Sequence, residues 1–476
     1  MQKLFRSKEN IDLTSGSLAK PLFYLSLPVI ITNLLRTAYN LVDTFWVGRL
    51  SKEALAAITF AYPLVFLFIA LGMGIAVAGS VLVAQYEGAG SRDQVEYAAS
   101  QTLTFSLIAG LLLGGGGFFL VRPVLQLLGA SAEVVPLATQ YLQIVTLGLV
   151  AVFGFSVFIA LMRGFGETLN PMLIMLISVA LNVVLDPFLI FGWGWFPALG
   201  IRGAAVATVF CRGLGLLIGL WILFTGRKGL KVHFKFLRPD LAFFKRVARI
   251  GVPASVEGTG RAVSVNALLS VVGGFATTVV AGYGIGIRVF STAFLPALAI
   301  SRSVETMTGQ NIGAGRFDRA EKANYLAAVV MFLGMTLLGL VCFIFAPSII
   351  SIFTLDQEVV EVGSTFLRYI ALTFGFVGAM RVFSGGFRGA GKTLVAAAIA
   401  ILTLGIIRYP LALLLSSRIG PTGIWSALAA SNVLGLIIAA FWFRRGTWKQ
   451  KLVKDKRKEG EVAEELSELE ETTLSE

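Results

Sequence analysis

Long apolar runs, separated by short polar or glycine-rich stretches, fill most of the chain. The runs are continuously apolar and reach the roughly 20 residues that a helix needs to cross a bilayer. Strands of a membrane barrel alternate over about ten residues instead. The pattern therefore predicts an all-α integral membrane protein. Its twelve predicted transmembrane helices lie near residues 21–48, 54–84, 96–120, 134–161, 168–193, 202–225, 242–272, 278–308, 322–346, 360–385, 393–417 and 422–443.

Composition supports this prediction, because 56% of the residues are hydrophobic and only 14% are charged, against about 25% charged in soluble domains. The net charge of +13 is concentrated in the N-terminal residues, the loop 226–240 and the segment 444–458. The positive-inside rule predicts that all three are cytoplasmic, and a nucleic-acid partner is not predicted. We expect no cleavable signal peptide, since the first run follows a basic stretch and lacks a small-residue cleavage site.

The second half of the sequence repeats the first at a constant offset of 225 residues. Pro28 then meets Pro253, and Arg36 meets Arg261. The same offset aligns "QYEGAGSRD" (85–93) with "QNIGAGRFD" (310–318), and "RGFGET" (163–168) with "RGAGKT" (388–393). Since each copy has an even number of predicted spans, both enter the membrane from the same side. We expect two parallel six-helix repeats, or lobes, around a central cleft.

This repeat divides the chain into four parts. We predict an N-terminal lobe at residues 1–225, a cytoplasmic linker at 226–241, a C-terminal lobe at 242–443 and a charged cytoplasmic tail at 444–476. The last residues, "EGEVAEELSELEETTLSE", are acidic and are predicted to be disordered or loosely helical.

Polar residues in the first span indicate function, because an ionised carboxylate at the centre of a membrane helix costs about 2.5–3.5 kcal/mol on insertion scales. Asn33, Arg36, Asn40 and Asp43 recur at spacings of three and four, which puts them on one helix face. Tyr39, one turn before Asp43, is in position to hydrogen-bond its carboxylate. An ion pair between Arg36 and Asp43 is expected to be strained, because seven residues rise about 10 Å along a helix.

The fifth span carries a second acid. Asn182 and Asp186 lie four residues apart on one face, and Pro187 directly after them predicts a kink that releases backbone carbonyls. Thr208 in the sixth span adds a hydroxyl. Together with Asp43, these groups form a set of oxygen ligands suited to a hard cation such as Na⁺, or a carboxylate pair that shares a proton.

Comparison of the two repeats assigns this chemistry to one lobe. Leu268 occupies the position equivalent to Asp43, and the stretch equivalent to Asp186 carries Arg408 and no acid. The second half instead has charges at helical spacings that favour ion pairs, namely Glu257 with Arg261 and Arg302 with Glu305, and it carries Arg381 deep in a span. We therefore predict that the ion-coupling site belongs to the N-terminal lobe.

Two glycine-rich motifs are predicted to be turns. "GGFRGAGKT" (385–393) matches the phosphate-binding loop pattern, but that pattern requires a preceding strand in an α/β domain, and here it joins two spans. We predict a turn with Arg388 and Lys392 at the cytoplasmic face. The "GAG" stretches at 88–90 and 313–315 are likewise predicted turns.

The cysteines and the single histidine offer no site of their own in the sequence. Cys211 and Cys342 fall inside spans and are predicted to be buried, reduced thiols. His233 lies in the linker loop without cysteine or acidic neighbours along the chain, which excludes a histidine proton relay in the membrane interior.

The chain resembles the multidrug and toxic compound extrusion (MATE) family over nearly its whole length, and it is closer to the DinF-like branch. The resemblance is carried by Pro28 through Asp43-x4-Gly48, the "GAG" turn, "RGFGETLNP" (163–171), "NVVLDPFLIFG" (182–192) and "GIRGAAVAT" (200–208). It implies twelve helices in two lobes, and export of organic cations coupled to the inward flow of H⁺ or Na⁺.

The resemblance also implies roles for residues that match the family's motifs. In the N-terminal lobe it implies a cation site at Asp43, Asn182, Asp186 and Thr208, with Tyr39 and Tyr141 lining the adjacent cavity. One branch of the family also uses acids in the seventh and tenth helices. Glu257 matches the first, whereas the tenth span has no acid after Glu361.

These observations predict a secondary active multidrug exporter of the cell membrane that exchanges organic cations for H⁺ or Na⁺ by alternating access. Asp43 and Asp186 are its predicted coupling acids, and Pro28 is the predicted hinge of the first span. The substrate cavity is predicted at Asn33, Tyr39, Asn40 and Tyr141. We expect a monomer whose partners are small organic cations and membrane lipid, with no cofactor beyond the coupling ion.

Three other functions compete with this prediction. A flippase for a lipid-linked oligosaccharide would use the arginines of the C-terminal lobe to hold a diphosphate. An intramembrane aspartyl protease would need a Gly-x-Gly-Asp setting, whereas the two acids lie in "LVDT" and "VLDP", so we do not predict an enzyme. A channel or receptor explains the duplication less well.

Overall fold

The structure is a computed structural model and describes residues 12–453. Within that range the regular structure is helical, with a 3₁₀ turn at Phe234–Phe236, a π-helical segment at Leu402–Ile407 and no strand. The α-helices are α1 (Ala19–Gly48), α2 (Lys52–Gly88), α3 (Arg92–Leu127), α4 (Val134–Leu147), α5 (Leu149–Phe165), α6 (Leu169–Phe191), α7 (Ile201–Thr225), α8 (Leu241–Val272), α9 (Thr277–Ala293), α10 (Leu295–Gly313), α11 (Phe317–Ile344), α12 (Ala346–Ser351), α13 (Gln357–Ala371), α14 (Phe374–Gly389), α15 (Thr393–Ile401), α16 (Arg408–Ile419) and α17 (Pro421–Arg444).

The helices of the described range match the twelve predicted spans. Nine are long and apolar enough to cross a membrane when Thr277–Gly313 and Thr393–Ile419 are each counted as one. The bent pairs α4–α5 and α13–α14, with angles of 51° and 50°, raise the number to eleven. The remaining span is α8, 32 residues long. Its five charges, which lower its hydropathy, are Lys245, Arg246, Arg249, Glu257 and Arg261.

Two prolines lie inside the helices of the N-terminal lobe that carry its predicted acids. Helix α1 continues through the buried Pro28, and α6 continues through Pro187 to Phe191. The hinge at Pro28 and the kink at Pro187 stay predictions.

The two lobes contact each other through related pairs of helices. Helix α2 packs against α8, and α10 packs against α1, as the repeat requires. The first contact is close enough to need glycine, because a Cβ atom on Gly74 would lie 2.4 Å from the carbonyl oxygen of Gly251.

One end of the bundle, which we call the terminal face, carries residues 12–18, the linker 226–240 and the segment 446–453. There the Asn311 amide donates to the carbonyl of Leu13 at 3.0 Å. The side-chain amide of Gln101 donates to the backbone carbonyl of Phe236 at 2.7 Å. The backbone amide of Leu452 donates to the side-chain carbonyl of Gln85 at 3.0 Å. The predicted acidic tail and the basic N-terminal residues up to 11 lie outside the described residues.

The structure confirms the glycine turns and corrects one side chain in them. Gly90, Gly315 and Gly391 have φ of +70°, +73° and +74°, a conformation that glycine adopts without strain. Arg388, however, does not lie at the surface of its turn. It is 5% exposed and makes ion pairs inside the lobe, because α14 continues to Gly389 and turns this side chain inward.

The structure also shows the surroundings of the two cysteines and the histidine. Cys211 and Cys342 are buried free thiols, as predicted. His233 has an acidic neighbour that its sequence context does not show, since its Nε2 atom lies 2.7 Å from Oε2 of Glu96 on α3.

Candidate functional site

The polar residues of α1 follow one interior surface of the N-terminal lobe. Asn33 and Arg36 line a cavity between the lobes. One turn further along, Arg36 and Asn40 line a second cavity, and Asn40 and Asp43 line a third. The spacing of three and four therefore brings these side chains to connected interior spaces. The third cavity is also lined by Tyr39, Tyr141 and Thr208.

The second acid lies on the neighbouring helix. Asn182 and Asp186 on α6 are both fully buried, and the Asn182 amide donates to Oδ1 of Asp186 at 2.9 Å. Helix α6, which carries Asp186, packs against α1, which carries Asp43. The structure thus places the two acids that the sequence singles out on adjacent helices.

The predicted site residues on α1, α6 and α7 form what we call the N-terminal cluster. Five of their oxygen atoms are buried without a hydrogen-bond partner among the described residues. They are Tyr39 Oη, Asp43 Oδ1, Asn182 Oδ1, Asp186 Oδ2 and Thr208 Oγ1. The predicted hydrogen bond from Tyr39 to Asp43 is therefore not formed. Because buried polar atoms are nearly always paired, a cluster of unpaired oxygens on α1, α6 and α7 is suited to receive a proton, a hard cation or water.

Sequence reasoning missed the arginine that lines this cavity. Arg212 on α7 lines the same space as Asp43 and Thr208, and its guanidinium carbon lies 5.6 Å from the centre of the Tyr39 ring. No ion pair joins it to Asp43 in the described part of the chain. A charge inside the apolar run "VFCRGLG" (209–215) is the same signal that identified the acids.

The C-terminal lobe holds a buried network of ion pairs around Arg388. This side chain lies 2.9 Å from Glu257 and 2.9 Å from Glu305. The two predicted pairs are confirmed, at 3.2 Å for Arg261 with Glu257 and 2.9 Å for Arg302 with Glu305. Glu257 is thus a partner of arginines.

A cavity of about 450 Å³ lies beside this network. It shares Met73, Val77, Leu298 and Arg302 with the cavity that Asn33 and Arg36 line, which has about 200 Å³. The arginines that line the larger cavity are Arg261, Arg302, Arg381, Arg388 and Arg408.

The repeats carry opposite charges at one equivalent place. Alignment of "GIRGAAVAT" (200–208) with "GIWSALAAS" (423–431) pairs Thr208 with Ser431. Ser431 accepts a hydrogen bond of 2.8 Å from Arg408, which also donates to Asn432 at 2.6 Å. Where the N-terminal lobe has an acid beside a hydroxyl, the C-terminal lobe has an arginine.

Comparisons with known proteins agree with this architecture. The family model described as MatE matches residues 28–188 and 253–414, two segments that begin 225 residues apart. The probable multidrug resistance protein YpnP of Bacillus subtilis (strain 168) is 30% identical over 443 residues, which are 92% of this chain and 97% of that protein. The FAD transporter of Shewanella oneidensis is 29% identical, over 90% of this chain and 94% of that one.

A solved structure agrees in fold. The outward-facing conformation of a multidrug resistance MATE family transporter of the MOP superfamily superposes with a TM-score of 0.85 at 24% identity. The match covers 92% of this chain and 98% of that one.

Proposed function

This chain belongs to the MatE family, and from that premise we propose that it is a secondary active exporter with its ion-coupling site in the N-terminal lobe. The members of this family are multi-pass membrane transporters rather than enzymes. In this proposal the protein acts as a monomer in the cell membrane, and the terminal face is cytoplasmic because of its basic segments.

The unpaired oxygens of the N-terminal lobe are the observation that carries this proposal. Asp43 and Asp186 lie on two helices that pack against each other, and neither forms an ion pair in the described part of the chain. H⁺ or Na⁺ would neutralise charge and satisfy oxygens that the chain leaves without partners. The equivalent position of the C-terminal lobe has Leu268, so the scaffold does not need an acid there.

Coupling follows from differential affinity. The ion neutralises the carboxylates and favours one arrangement of the lobes, whereas the substrate favours the arrangement in which the carboxylates are free. Pro28 lies inside α1, the helix that packs against α10 of the other lobe, and it is the hinge in this proposal. It lacks the amide hydrogen that would hold its helix rigid.

The charge of the larger cavity bears on which substrate is carried. One relative is named a multidrug resistance protein and another an FAD transporter, so the names of relatives span different cargoes. Five arginines line the larger cavity, and this favours an anion over the organic cations that the sequence predicts. It also favours the diphosphate part of the alternative flippase function.

Transport by purified protein in proteoliposomes tests the coupling site. Flux of a fluorescent organic cation and of a fluorescent organic anion is measured under an imposed pH gradient, and then under a Na⁺ gradient. One gradient should drive flux, and Asp43→Asn should abolish it. The control is Asp93→Asn, an exposed acid of the same lobe, which should retain the wild-type rate. Wild-type flux by Asp43→Asn would contradict the proposal.

A further inference from the structure

We propose that the cavity between the lobes binds an organic anion that carries a phosphate or diphosphate on an apolar body. This inference rests on the proposed function for the view that the bound molecule is cargo. The binding itself rests on the side chains that line the cavity, and it is tested without any ion gradient.

The two connected cavities have a large excess of positive charge. Seven arginines line them, and the described carboxylates that pair with these arginines are Glu257 and Glu305. Five positive charges are therefore not neutralised by carboxylates of residues 12–453. The seven are Arg36, Arg163, Arg261, Arg302, Arg381, Arg388 and Arg408.

Several of these arginines are available to bind an anion. Among the described residues, Arg408 donates hydrogen bonds to the neutral groups of Ser431 and Asn432 and forms no ion pair. Arg36 is exposed to the cavities that it lines and forms no ion pair in the described part of the chain. Arg381 is 7% exposed, and its Nε atom is buried without a hydrogen-bond partner. A buried donor without a partner is costly, so an anion in the cavity would be stabilised.

The remaining wall of the larger cavity is apolar. Phe66, Phe290 and Phe294 line it, and the guanidinium of Arg381 lies 5.3 Å from the centre of the Phe294 ring. A cavity of about 450 Å³ with such a wall lies in the range of small-molecule sites. The ligand therefore needs an apolar part as well as a charge.

Guanidinium groups favour phosphate among anions. Their planar fork of N–H donors matches the oxygens of phosphate bidentately, and several forks around one cavity suit a group with several charged oxygens. An organic cation would have to replace neutral water beside five uncompensated positive charges. The shared chemistry of the ligand fits two sources, a soluble organic diphosphate and a lipid-linked diphosphate.

Calorimetric titration of the detergent-purified full-length chain distinguishes these sources. Farnesyl diphosphate represents the lipid-linked source and FAD the soluble one. Farnesol and riboflavin are their phosphate-free counterparts, and tetraphenylphosphonium is the cationic probe. We expect at least one diphosphate to bind more than tenfold more tightly than its phosphate-free counterpart and than the cationic probe. The diphosphate that does so identifies the source of the ligand.

Arginine variants locate the binding. Arg302→Gln and Arg408→Gln should each reduce the affinity for the diphosphate about tenfold, because each removes one charge-assisted contact. Arg418→Gln, at an exposed arginine of the same helix as Arg408, should leave binding unchanged. Thermal unfolding verifies that each variant is folded, and Arg408→Gln is the decisive variant because it breaks no ion pair.

Two results would overturn the inference. One is equal binding of a diphosphate and its phosphate-free counterpart for both pairs. The other is tighter binding of tetraphenylphosphonium than of either diphosphate. Failure of the coupling proposal would look different, because a protein whose coupling acids are wrongly assigned would still bind the anion without a gradient.

Discussion

The side-chain amide of Gln85 in the N-terminal lobe donates a hydrogen bond of 3.0 Å to the backbone carbonyl of Gly389 in the C-terminal lobe. The repeat equivalents form the reciprocal bond, since Gln310 donates to the carbonyl of Gly164 at 3.0 Å. Both glutamines are buried. Two symmetric bonds therefore cross between the lobes in opposite directions at the terminal face, and the alternating access that we propose would require both to break.

Replacing Gln85 and Gln310 together by Met should weaken closure of the terminal face. Each lost bond leaves a buried carbonyl without its donor, which costs about 1–3 kcal/mol. Hydrogen–deuterium exchange should become faster in residues 446–453, where the Leu452 amide loses its acceptor on Gln85. Gln143→Met is the control, because Gln143 bonds within its own lobe. Wild-type exchange in the double variant would show that these bonds do not hold the face closed.

Gly88→Ala and Gly313→Ala should prevent full closure of the same face. A Cβ atom on Gly88 would lie 1.8 Å from the carbonyl oxygen of Gln310, and one on Gly313 would lie 1.9 Å from that of Gln85. Backbone atoms cannot move aside as a flexible side chain can, and overpacking typically costs about 1–3 kcal/mol or more. We expect loss of transport with normal membrane insertion.

The control for these glycine variants is Gly334→Ala in α11, where a Cβ atom meets nothing within 4 Å. It should be neutral, or more stable by about 0.5–1 kcal/mol, since alanine favours a helix. Wild-type transport by Gly88→Ala would contradict the close approach of the lobes.

The hydrophobic pattern predicts the spans because the length of an apolar run is a local property of the chain. It also predicts the polar face of α1, since the helical period alone brings Asn33, Arg36, Asn40 and Asp43 to one side. The repeat predicts two lobes in the same way. In each case the sequence carries the required information within one helix or one constant offset.

The contacts between lobes could not be predicted in this way. The sequence predicts turns at the "GAG" stretches, and they are turns. It does not show that Gly88 and Gly313 pack against the backbone of the opposite lobe, more than 200 positions away in the sequence. Arg388 shows the same limit, because its two glutamate partners lie on α8 and α10. Which helices contact each other depends on how the whole chain packs, and a local sequence pattern does not contain that information.

Arg388→Met should destabilise the C-terminal lobe strongly. It leaves the buried Glu257 and Glu305 without their shared cation, and breaking a buried pair in this manner costs about 3–5 kcal/mol. Arg388→Lys should recover only part of the loss, because an ammonium group lacks the planar fork that reaches both acids. Thermal unfolding of the purified variants measures this order, with Arg418→Met as the exposed control. Equal stability of Arg388→Met and wild type would refute the network's structural role.

Asp240 should anchor the start of α8 in a manner that depends on pH. Its carboxylate accepts from the amides of Ala242 at 2.9 Å and Phe243 at 3.3 Å. The hydrogen bond from the Tyr97 hydroxyl holds the pKa of the Asp240 carboxyl below its usual value. Its stabilising contribution is therefore present at neutral pH and is lost as the pH falls below about 4.

Exchange of the first amides of α8, corrected for intrinsic rates, checks this dependence. At neutral pH, Asp240→Ala should increase the exchange rate of these amides roughly fivefold, because the lost N-cap is worth about 1 kcal/mol. Asp240→Asn keeps an N-cap side chain and should lose the dependence on acid. An acid dependence that persists in Asp240→Asn would assign it to another group.

Thr208→Val should separate the two coupling ions that the N-terminal cluster can receive. Valine has nearly the shape of threonine but lacks Oγ1, an oxygen that has no partner among the described residues. A hydroxyl can serve as a ligand of Na⁺, whereas protonation of the acids does not require it. Transport driven by Na⁺ should therefore need about tenfold more Na⁺ for half-maximal rate, the loss of roughly one ligand bond. Transport driven by a pH gradient should be unchanged. Loss of both fluxes in a folded Thr208→Val protein would show that the hydroxyl supports the structure rather than the ion.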